Sequence, residues 1–464
     1  MQEKKDYTLD LVKQRKESID QVSPTFCLAK WLQSTVLLYN GFTHSCHHPD
    51  RHKIDKNDLV NNAQGIHNTP VKMAARKDML NGVQTKECSY CWNIENLDKS
   101  HLSDRIYKST YSWSFPRLNE VLESQQGAMI TPSYLEIAFD SACNCKCLYC
   151  NPESSSSWQK EIQEFGPVPQ VGSPLYDLGY IKKIGALPIP QGEPNPYVDA
   201  FWKWWPEIYK KLKVLRITGG EPLLSPNTWK LFDLIQQDPR SDLNFSINSN
   251  LCLPRLTIEK LVQKINQMEP HLQSFEIYSS LESIGSQAEY VRFGMKFDEF
   301  LDNCRYVLDQ TSVNVRLHFM TTINVLSAPQ FLDFLKLIVE LRKKYRITSH
   351  NFRLRTFFNY LRWPNCFSIA MLSDADKEIY GEQWISFVEK HQIKQNLTAD
   401  QFFYDEEVEQ IKRLVDYMKS FRPPQKEYEN FRLFIKSTDQ RRKTNFGETF
   451  PQFAHYLEKD YYGL

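Results

Sequence analysis

The sequence lacks an excess of charge, a long apolar run and an apolar leader. Its 464 residues carry 57 Lys and Arg against 56 Asp and Glu, so the total charge does not indicate a polyanionic partner such as nucleic acid. No stretch has the apolar length of a membrane-spanning helix. The N-terminal stretch MQEKKDYTLDLVKQRKESID is charged and lacks the apolar core of a signal peptide. These absences predict a cytoplasmic protein that binds neither a membrane nor nucleic acid.

Cysteine is present in an odd number and is unevenly spaced. The chain has 11 cysteines, and in a cytoplasmic protein clustered thiols more often bind metal than form disulfides. Four lie within "SACNCKCLYC" at residues 141–150, four lie earlier, and three are scattered as Cys252, Cys304 and Cys366. We expect the scattered three to be packed side chains, because a free cysteine behaves as a small hydrophobe.

Strand-like and helix-like runs alternate from Tyr134 onward. β-Branched and aromatic residues predict strands at 134–140, 214–220, 243–250, 274–282, 313–324 and 352–358. Apolar residues at three- and four-residue spacing predict helices between them, as at 227–237, 257–268 and 297–310. Repeated βα units imply a parallel sheet covered by helices. The sequence therefore predicts an α/β fold with a partial (β/α)6 barrel at 130–370, whose active site lies at the C-terminal ends of its strands.

The loop after the first predicted strand carries Cys143, Cys147 and Cys150 in C-x-x-x-C-x-x-C spacing. Three thiolates in one short loop can bind one iron–sulfur cube and leave its fourth iron open to a substrate or cofactor. Cys145 does not fit this spacing, and we expect it not to be a ligand. The alternative is a four-thiolate zinc site that includes Cys145. Zinc knuckles usually separate their cysteine pairs by a longer loop, which favours the cube.

The second predicted strand ends in "TGGEP" at residues 218–222. Two glycines let the backbone approach a ligand, and the glutamate places a carboxylate beside it. A CxxxCxxC loop that is followed one βα unit later by GGEP resembles the radical S-adenosylmethionine (SAM) superfamily, in which both motifs occur in this order. The resemblance covers about residues 130–370.

The resemblance implies a SAM site at the strand ends. Cys143, Cys147 and Cys150 would hold a four-iron, four-sulfur (4Fe-4S) cluster. The implied SAM contacts are Tyr149 beside the adenine, Gly219, Gly220 and Glu221 at the methionyl amino group, Asn248, Asn250, Ser280 and Glu282 near the ribose, Arg292 at the methionyl carboxylate, and Asn324 and Leu326 at the adenine site. From the residues alone, Asn248 and Ser280 remain open as strand-end caps and Arg292 as a surface charge.

The implied reaction is the reductive cleavage of SAM to methionine and a 5′-deoxyadenosyl radical, which abstracts hydrogen from a substrate. The electron would come from a reductant such as flavodoxin or ferredoxin. The substrate stays open between a small metabolite and a peptide. A non-catalytic scaffold or partner-binding protein, with zinc at both cysteine groups, is the alternative.

The N-terminal part, residues 1–125, is predicted as a second metal-binding domain. Its Cys27 and Cys46, together with the pair Cys88-x-x-Cys91, make a four-thiolate site for zinc or for a second iron–sulfur cluster. Residues 77–105 resemble the auxiliary-cluster segment of twitch-type and SPASM-type radical SAM proteins, although that segment usually follows the barrel. Four nearby histidines keep mixed cysteine–histidine ligation open: His44, His47, His48 and His52.

Two further regions flank these motifs. Residues 151–213 form a long insertion between the first two predicted strands. It is either a lid over the site or a segment that packs against the barrel and supports it. Residues 371–464 are polar and helix-patterned, and we expect a helical extension that covers the barrel edge or binds a partner.

Overall fold

The computed structural model describes residues 8–98, 101–124, 129–168, 174–394 and 400–463. Parts of four predicted segments lie outside these ranges: residues 1–7 of the charged N-terminal stretch, 99–100 and 125 of the cysteine-rich N-terminal part, 169–173 of the insertion, and 395–399 and 464 of the C-terminal extension. The chain has an α/β fold with a mostly parallel central sheet. It separates into two compact units. Unit 1 comprises Met1–Asp140, Pro188–Gly219 and Arg240–Phe245, and unit 2 comprises Ser141–Leu187, Gly220–Pro239 and Ser246–Leu464.

Unit 1 is built on a sheet in which β6 and β1 lie parallel to β4, and β2 and β3 continue the sheet antiparallel to their neighbours. Its strands are β1 (Gln33–Leu37), β2 (Phe42–His44), β3 (His52–Lys53), β4 (Tyr134–Ala138) and β6 (Val214–Thr218). Its helices are α1 (Leu9–Val22), α2 (Ala29–Leu32), α3 (Pro70–Leu80), α4 (Ser89–Leu97), α5 (Asp104–Thr110), α6 (Leu118–Glu123) and α9 (Pro196–Lys211).

Strand β1 is a strand of the parallel sheet that the sequence did not predict. It pairs in parallel with β4, with Gln33 opposite Tyr134 and Leu37 opposite Ala138. Its first three residues are polar yet fully buried, so neither an alternating pattern nor an apolar run marks it in the sequence. The parallel sheet is therefore one strand longer than the six predicted, and the extra strand comes from the cysteine-rich N-terminal part.

Unit 2 carries parallel strands β8 (Ser274–Ser280), β10 (Val315–Met320) and β13 (Leu354–Phe357), and β7 (Asn244–Asn248) contributes its last three residues. Two short ribbons complete its strands: β5 (Lys146–Cys147) with β9 (Arg292–Phe293), and β11 (Arg346–Thr348) with β12 (Asn351–Phe352). Every predicted strand is present, although most are shorter than predicted.

The helices of unit 2 include the three that apolar spacing predicts: α10 (Pro226–Gln237), α11 (Arg255–Met268) and α13 (Phe297–Gln310). The others are α7 (Ser156–Phe165), α8 (Leu178–Lys183), α12 (Gly285–Val291), α14 (Ala328–Lys344), α15 (Asp374–Lys390), α16 (Asp405–Ser420), α17 (Gln425–Arg442) and α18 (Phe446–Thr449). The C-terminal residues thus form helices, as expected. Nowhere in the described ranges does a helix have the length and apolar character to cross a membrane.

The strands of unit 2 have one apolar and one polar face. On β8 the odd-numbered residues are buried and the even-numbered ones are half-buried, which is the two-residue alternation of a strand. Register places the even-numbered residues of β8 and β10 side by side, with Arg355 and Phe357 of β13 next to them. We call this surface the polar face; it comprises Glu276, Tyr278, Ser280, Arg316, His318, Met320, Arg355 and Phe357.

Candidate active site

The loop at residues 141–150 holds the three motif cysteines close enough for the charge of one thiol to affect the pKa of another. Cys143, Cys147 and Cys150 are half-buried, whereas Cys145 is only 3% exposed. Burial raises the pKa of the Cys147 and Cys150 thiols to about 12, and the thiols also raise each other's pKa by charge repulsion. Burial and the neighbouring thiols raise the pKa of Cys143 as well. The apo loop therefore holds neutral thiols, and a positive ligand would be needed to stabilise them as thiolates.

Serines at the start of α7 hold the backbone of this loop. Ser157 Oγ donates to the Cys143 carbonyl oxygen at 2.6 Å, and Ser155 Oγ donates to the Cys145 carbonyl oxygen at 2.9 Å. Ser155 is also the N-cap of the helix, accepting from the Trp158 amide. Serine is a favoured N-cap residue, whereas the contacts to the cysteine loop appear only in the folded chain.

Cys145 is buried beside Cys252. This neighbour together with burial raises the pKa of Cys145 far above its ordinary value. Asn250 Nδ2 lies 3.6 Å from Cys145 Sγ and 2.8 Å from Asn144 Oδ1. Cys252 is half-buried, in the turn after β7, and is thus less buried than we expect of a packed side chain. Cys304 and Cys366 are fully buried, as expected.

The two glycines of GGEP pack against the chain beside the cysteine loop. A Cβ on Gly219, whose φ is +131°, would lie 2.6 Å from the Asp140 carbonyl oxygen. A Cβ on Gly220 would lie 2.4 Å from the Ala142 carbonyl oxygen. The Glu221 amide donates to that same Ala142 oxygen at 2.7 Å. Both positions therefore exclude any side chain, so the GGEP turn lies directly against the loop that carries the cysteines.

The Glu221 carboxylate is 1% exposed and is held by three donors. Oε1 accepts from Ser249 Oγ at 2.9 Å and from the Leu223 amide at 3.1 Å, while Oε2 accepts from the Asn250 amide at 2.6 Å. Burial raises the pKa of Glu221 to about 7, although these hydrogen bonds oppose the rise. A carboxylate has about four acceptor positions, so one remains for a ligand. Ser249 is a site residue that the sequence did not indicate.

Tyr149, Glu282 and Arg292 form a hydrogen-bonded group beside the cysteine loop. Glu282 Oε1 accepts from Tyr149 Oη at 2.8 Å, and Glu282 Oε2 accepts from Arg292 Nη2 at 2.7 Å. Arg292 Nη1 lies 3.8 Å from Cys147 Sγ. Arg292 is 5% exposed and its Nε has no hydrogen-bond partner in the described ranges, so it is not a surface charge.

The remaining predicted contacts fall into two pairs. Asn248 and Ser280 are half-buried at the C-terminal ends of β7 and β8, at the expected edge of the sheet. Asn324 is 1% exposed and caps a short helical turn, with Oδ1 accepting from the Leu326 amide at 3.0 Å. Leu326 is fully buried. The roles of these four residues toward SAM stay predictions.

In unit 1 the four N-terminal cysteines line one pocket. The pocket wall also contains His48, Asp104 and three cationic side chains, those of Lys30, Arg105 and Lys108. Burial raises the pKa of Cys27 to about 11 and of Cys91 to about 12.

Of the four histidines near these cysteines, His48 lines the pocket. Its Nε2 lies 2.7 Å from Asp104 Oδ2, and its ring stacks on Tyr90. His44, His47 and His52 are not among the residues of the pocket wall, and burial lowers the pKa of each to about 4.

Within the described residues, no three His, Cys, Asp or Glu side chains converge as a group that could hold a metal ion. The ligands of a single ion must meet at one point, whereas thiolates that ligate a cube each bind a different iron and stand apart. The donor chemistry of the loop at residues 141–150 suits an anionic cluster, because it offers three thiols with a guanidinium 3.8 Å from one of them. The residues present thus fit an iron–sulfur cluster.

Comparison with known proteins leaves the family open. No protein-family model matches the chain, and no curated protein matches it. Among solved structures, the chain is similar to Streptococcus suis SuiB bound to S-adenosylmethionine, with 12% identity and a TM-score of 0.31 over 78% of this chain and 69% of that one. A likeness this weak carries no argument about function.

Proposed function

We propose that the chain is a radical SAM enzyme in which Cys143, Cys147 and Cys150 hold a 4Fe-4S cluster that binds SAM. The observation that carries this proposal is the contact between the two motifs: the Glu221 amide donates to the Ala142 carbonyl oxygen at 2.7 Å, one residue before Cys143. When bound, the cluster and SAM would supply a 5′-deoxyadenosyl radical that abstracts hydrogen from the substrate. The alternative zinc site in this loop would need Cys145, whose thiol is buried beside Cys252.

The chain's own residues bind SAM and balance charge. Glu221 has one acceptor position left after its three hydrogen bonds, and that position receives the methionyl ammonium. Arg292, 3.8 Å from Cys147 Sγ, offsets the negative charge of thiolate and cluster and so favours the reduced form. Glu282 holds Arg292 in place and leaves its unpartnered Nε for the methionyl carboxylate. Tyr149, fixed by Glu282, packs near the adenine.

The N-terminal cysteines hold a second 4Fe-4S cluster in this proposal. Four thiolates, three of them buried, would carry a large negative charge, and Lys30, Arg105 and Lys108 in the same pocket wall, each also paired with a carboxylate, would partly counter it. When bound, this cluster would accept an electron from the substrate or bind the substrate. A structural zinc in the same pocket is the competing outcome. The protein is cytoplasmic and receives its electron from a flavodoxin or ferredoxin.

Iron and acid-labile sulfide in anaerobically reconstituted protein test the barrel cluster. We compare the wild type with a C143A/C147A/C150A variant, and use Cys304→Ala as a matched control because Cys304 is buried far from any motif in the sequence. The variant is expected to lose about four irons relative to both other proteins. Equal iron content in all three would contradict the proposal, and one zinc in place of iron would favour the scaffold.

A further inference from the structure

The polar face of unit 2 carries two arginines that the proposed SAM site does not use. Arg316 Nη1 and Arg355 Nη2 donate to the same acceptor, Asn351 Oδ1, at 3.2 Å and 3.4 Å. In the described part of the chain, neither guanidinium lies within ion-pair distance of a carboxylate. Each guanidinium has five N–H donors, so sharing one neutral amide oxygen leaves most of them available.

One carboxylate whose charge acts on Arg355, that of Glu407, is already paired. Glu407 accepts two hydrogen bonds from Arg342, at 2.6 Å and 2.8 Å, in a fully buried fork. Arg355 instead stacks on the Tyr404 ring, with Cζ 4.3 Å from its centroid. Arg316 and Arg355 are both half-buried, so each retains a surface that a ligand can reach.

His318 lies opposite Arg355 in the sheet and two residues after Arg316 on β10, and its ring nitrogens have no hydrogen-bond partner in the described part of the chain. It is 5% exposed, pairs in register with Tyr278 and Arg355, and stacks on Tyr278 at 4.4 Å between ring centroids. Neither ring nitrogen has a hydrogen-bond partner in the described ranges, and Nε2 is 3.5 Å from Glu276 Oε2. A buried imidazole without a partner costs free energy, which a ligand on this face would recover.

The charges on the polar face do not balance. Two guanidinium groups face one carboxylate, Glu276, which accepts from Tyr278 Oη at 2.6 Å. Burial alone would raise the pKa of Glu276, but His318, Tyr278 and Arg316 outweigh it and lower the pKa to about 2. Glu276 is therefore ionised at neutral pH, and the two guanidinium groups of the face exceed its single carboxylate by one positive charge.

We propose that the polar face binds a carboxylate group of the substrate through the guanidinium groups of Arg316 and Arg355 and the imidazole of His318. The identification of the bound molecule as the substrate rests on the proposed function, whereas the binding of an anion at the polar face does not. A carboxylate neutralises the single surplus charge, whereas a phosphate monoester carries about two charges and would overcompensate it. Guanidinium forks suit carboxylate oxygens. Phe357, 38% exposed at the end of β13, offers an apolar surface to the rest of the molecule.

Calorimetric titration with three probes tests this site: benzoate, phenyl phosphate and the neutral benzamide. SAM and reductant are left out, so a failure here is distinct from a failure of SAM cleavage. The variants are R316Q, R355Q and R316Q/R355Q, and R305Q is the matched control because Arg305 lies on the exposed side of α13 with ordinary surface ion pairs. If a glutamine variant does not fold, Arg355→Lys takes its place, because lysine keeps the positive charge but cannot donate the two parallel hydrogen bonds of a guanidinium.

The expected result is that benzoate binds the wild type and R305Q equally and more tightly than the other two probes. Each single glutamine variant should weaken benzoate at least tenfold, and the double variant should abolish binding. Benzoate binding no tighter than benzamide, or unchanged binding in R316Q/R355Q, would overturn the site. Tighter binding of phenyl phosphate would overturn its assignment to a carboxylate.

Discussion

Arg442 and Glu161, 281 positions apart in the chain, form a buried ion pair between α17 and α7. Arg442 Nε lies 3.1 Å from Glu161 Oε2 and Nη2 lies 3.3 Å from Oε1. The same carboxylate receives Lys146 Nζ at 2.6 Å, and Lys146 sits between Cys145 and Cys147. The C-terminal helix is thereby connected through one glutamate to the loop that carries the motif cysteines.

Breaking this pair should destabilise unit 2. Removing one partner of a buried ion pair costs about 3 kcal/mol, and Glu161 would then keep only the half-buried Lys146 as a charge partner. We expect Arg442→Met to lower the free energy of unfolding by about that amount, measured by denaturant titration. Lys436→Met on the exposed side of the same helix is the control and should change it by less than about 0.5 kcal/mol. Equal stability of the two variants would contradict the role given to Arg442.

Cys145 should be dispensable for the cluster. Its thiol is buried beside Cys252, and the proposed cluster takes its ligands from the other three cysteines of the loop. Cys145→Ala and Cys252→Ala are each expected to keep iron, sulfide and SAM cleavage, whereas alanine at Cys143, Cys147 or Cys150 should remove the barrel cluster. The measurement is iron content after anaerobic reconstitution. Loss of the cluster in Cys145→Ala would overturn the ligand assignment.

The N-terminal pocket should hold four irons of its own. Two cubes imply about eight irons per chain, and C88A/C91A should reduce this to about four while SAM cleavage without substrate survives. Metal analysis of both proteins gives the result. Turnover of the true substrate should fail in that variant if the second cluster takes up the substrate electron or binds the substrate. Finding one zinc and four irons in the wild type would reject the second cluster and leave the barrel cluster standing.

SAM affinity should depend on pH through Glu221. Burial raises its pKa to about 7, so the carboxyl is neutral below that pH and ionised above it. The methionyl ammonium favours the ionised form, so SAM affinity should rise with pH and level off above about 7. Below pH 7 the slope approaches tenfold per pH unit. Glu221→Gln should bind SAM more weakly and without this slope, as measured by calorimetry. A wild-type affinity that is flat from pH 5.5 to 8 would contradict the contact.

Much of the fold follows from local patterns. The strands and helices from Tyr134 onward have the two-residue and three-to-four-residue periodicities that the sequence displays, so their type and order were predictable. Strand β1 was not, because its polar residues are buried by pairing with β4, a partner distant in the sequence. Predicted strands were mostly too long, since residues at strand ends keep β-like composition after the ladder stops.

Of the candidate site, only the two loops that carry the motifs were predictable from the sequence. The cysteine spacing and GGEP identify the loops, but the partners of Glu221 come from the turn after a different strand. Cys252 resembles any scattered cysteine until the fold places it beside Cys145. The Arg442–Glu161 pair joins residues that no local pattern connects. Such contacts depend on tertiary packing, which a single sequence does not display.

Anaerobic incubation with SAM and dithionite tests the central claim most directly. The account predicts that reconstituted wild type releases 5′-deoxyadenosine and methionine in equal amounts, quantified by liquid chromatography and mass spectrometry. It also predicts that Cys304→Ala does the same and that C143A/C147A/C150A releases neither product. A fully reconstituted wild type that leaves SAM intact, or cleavage that persists without the three cysteines, would contradict it.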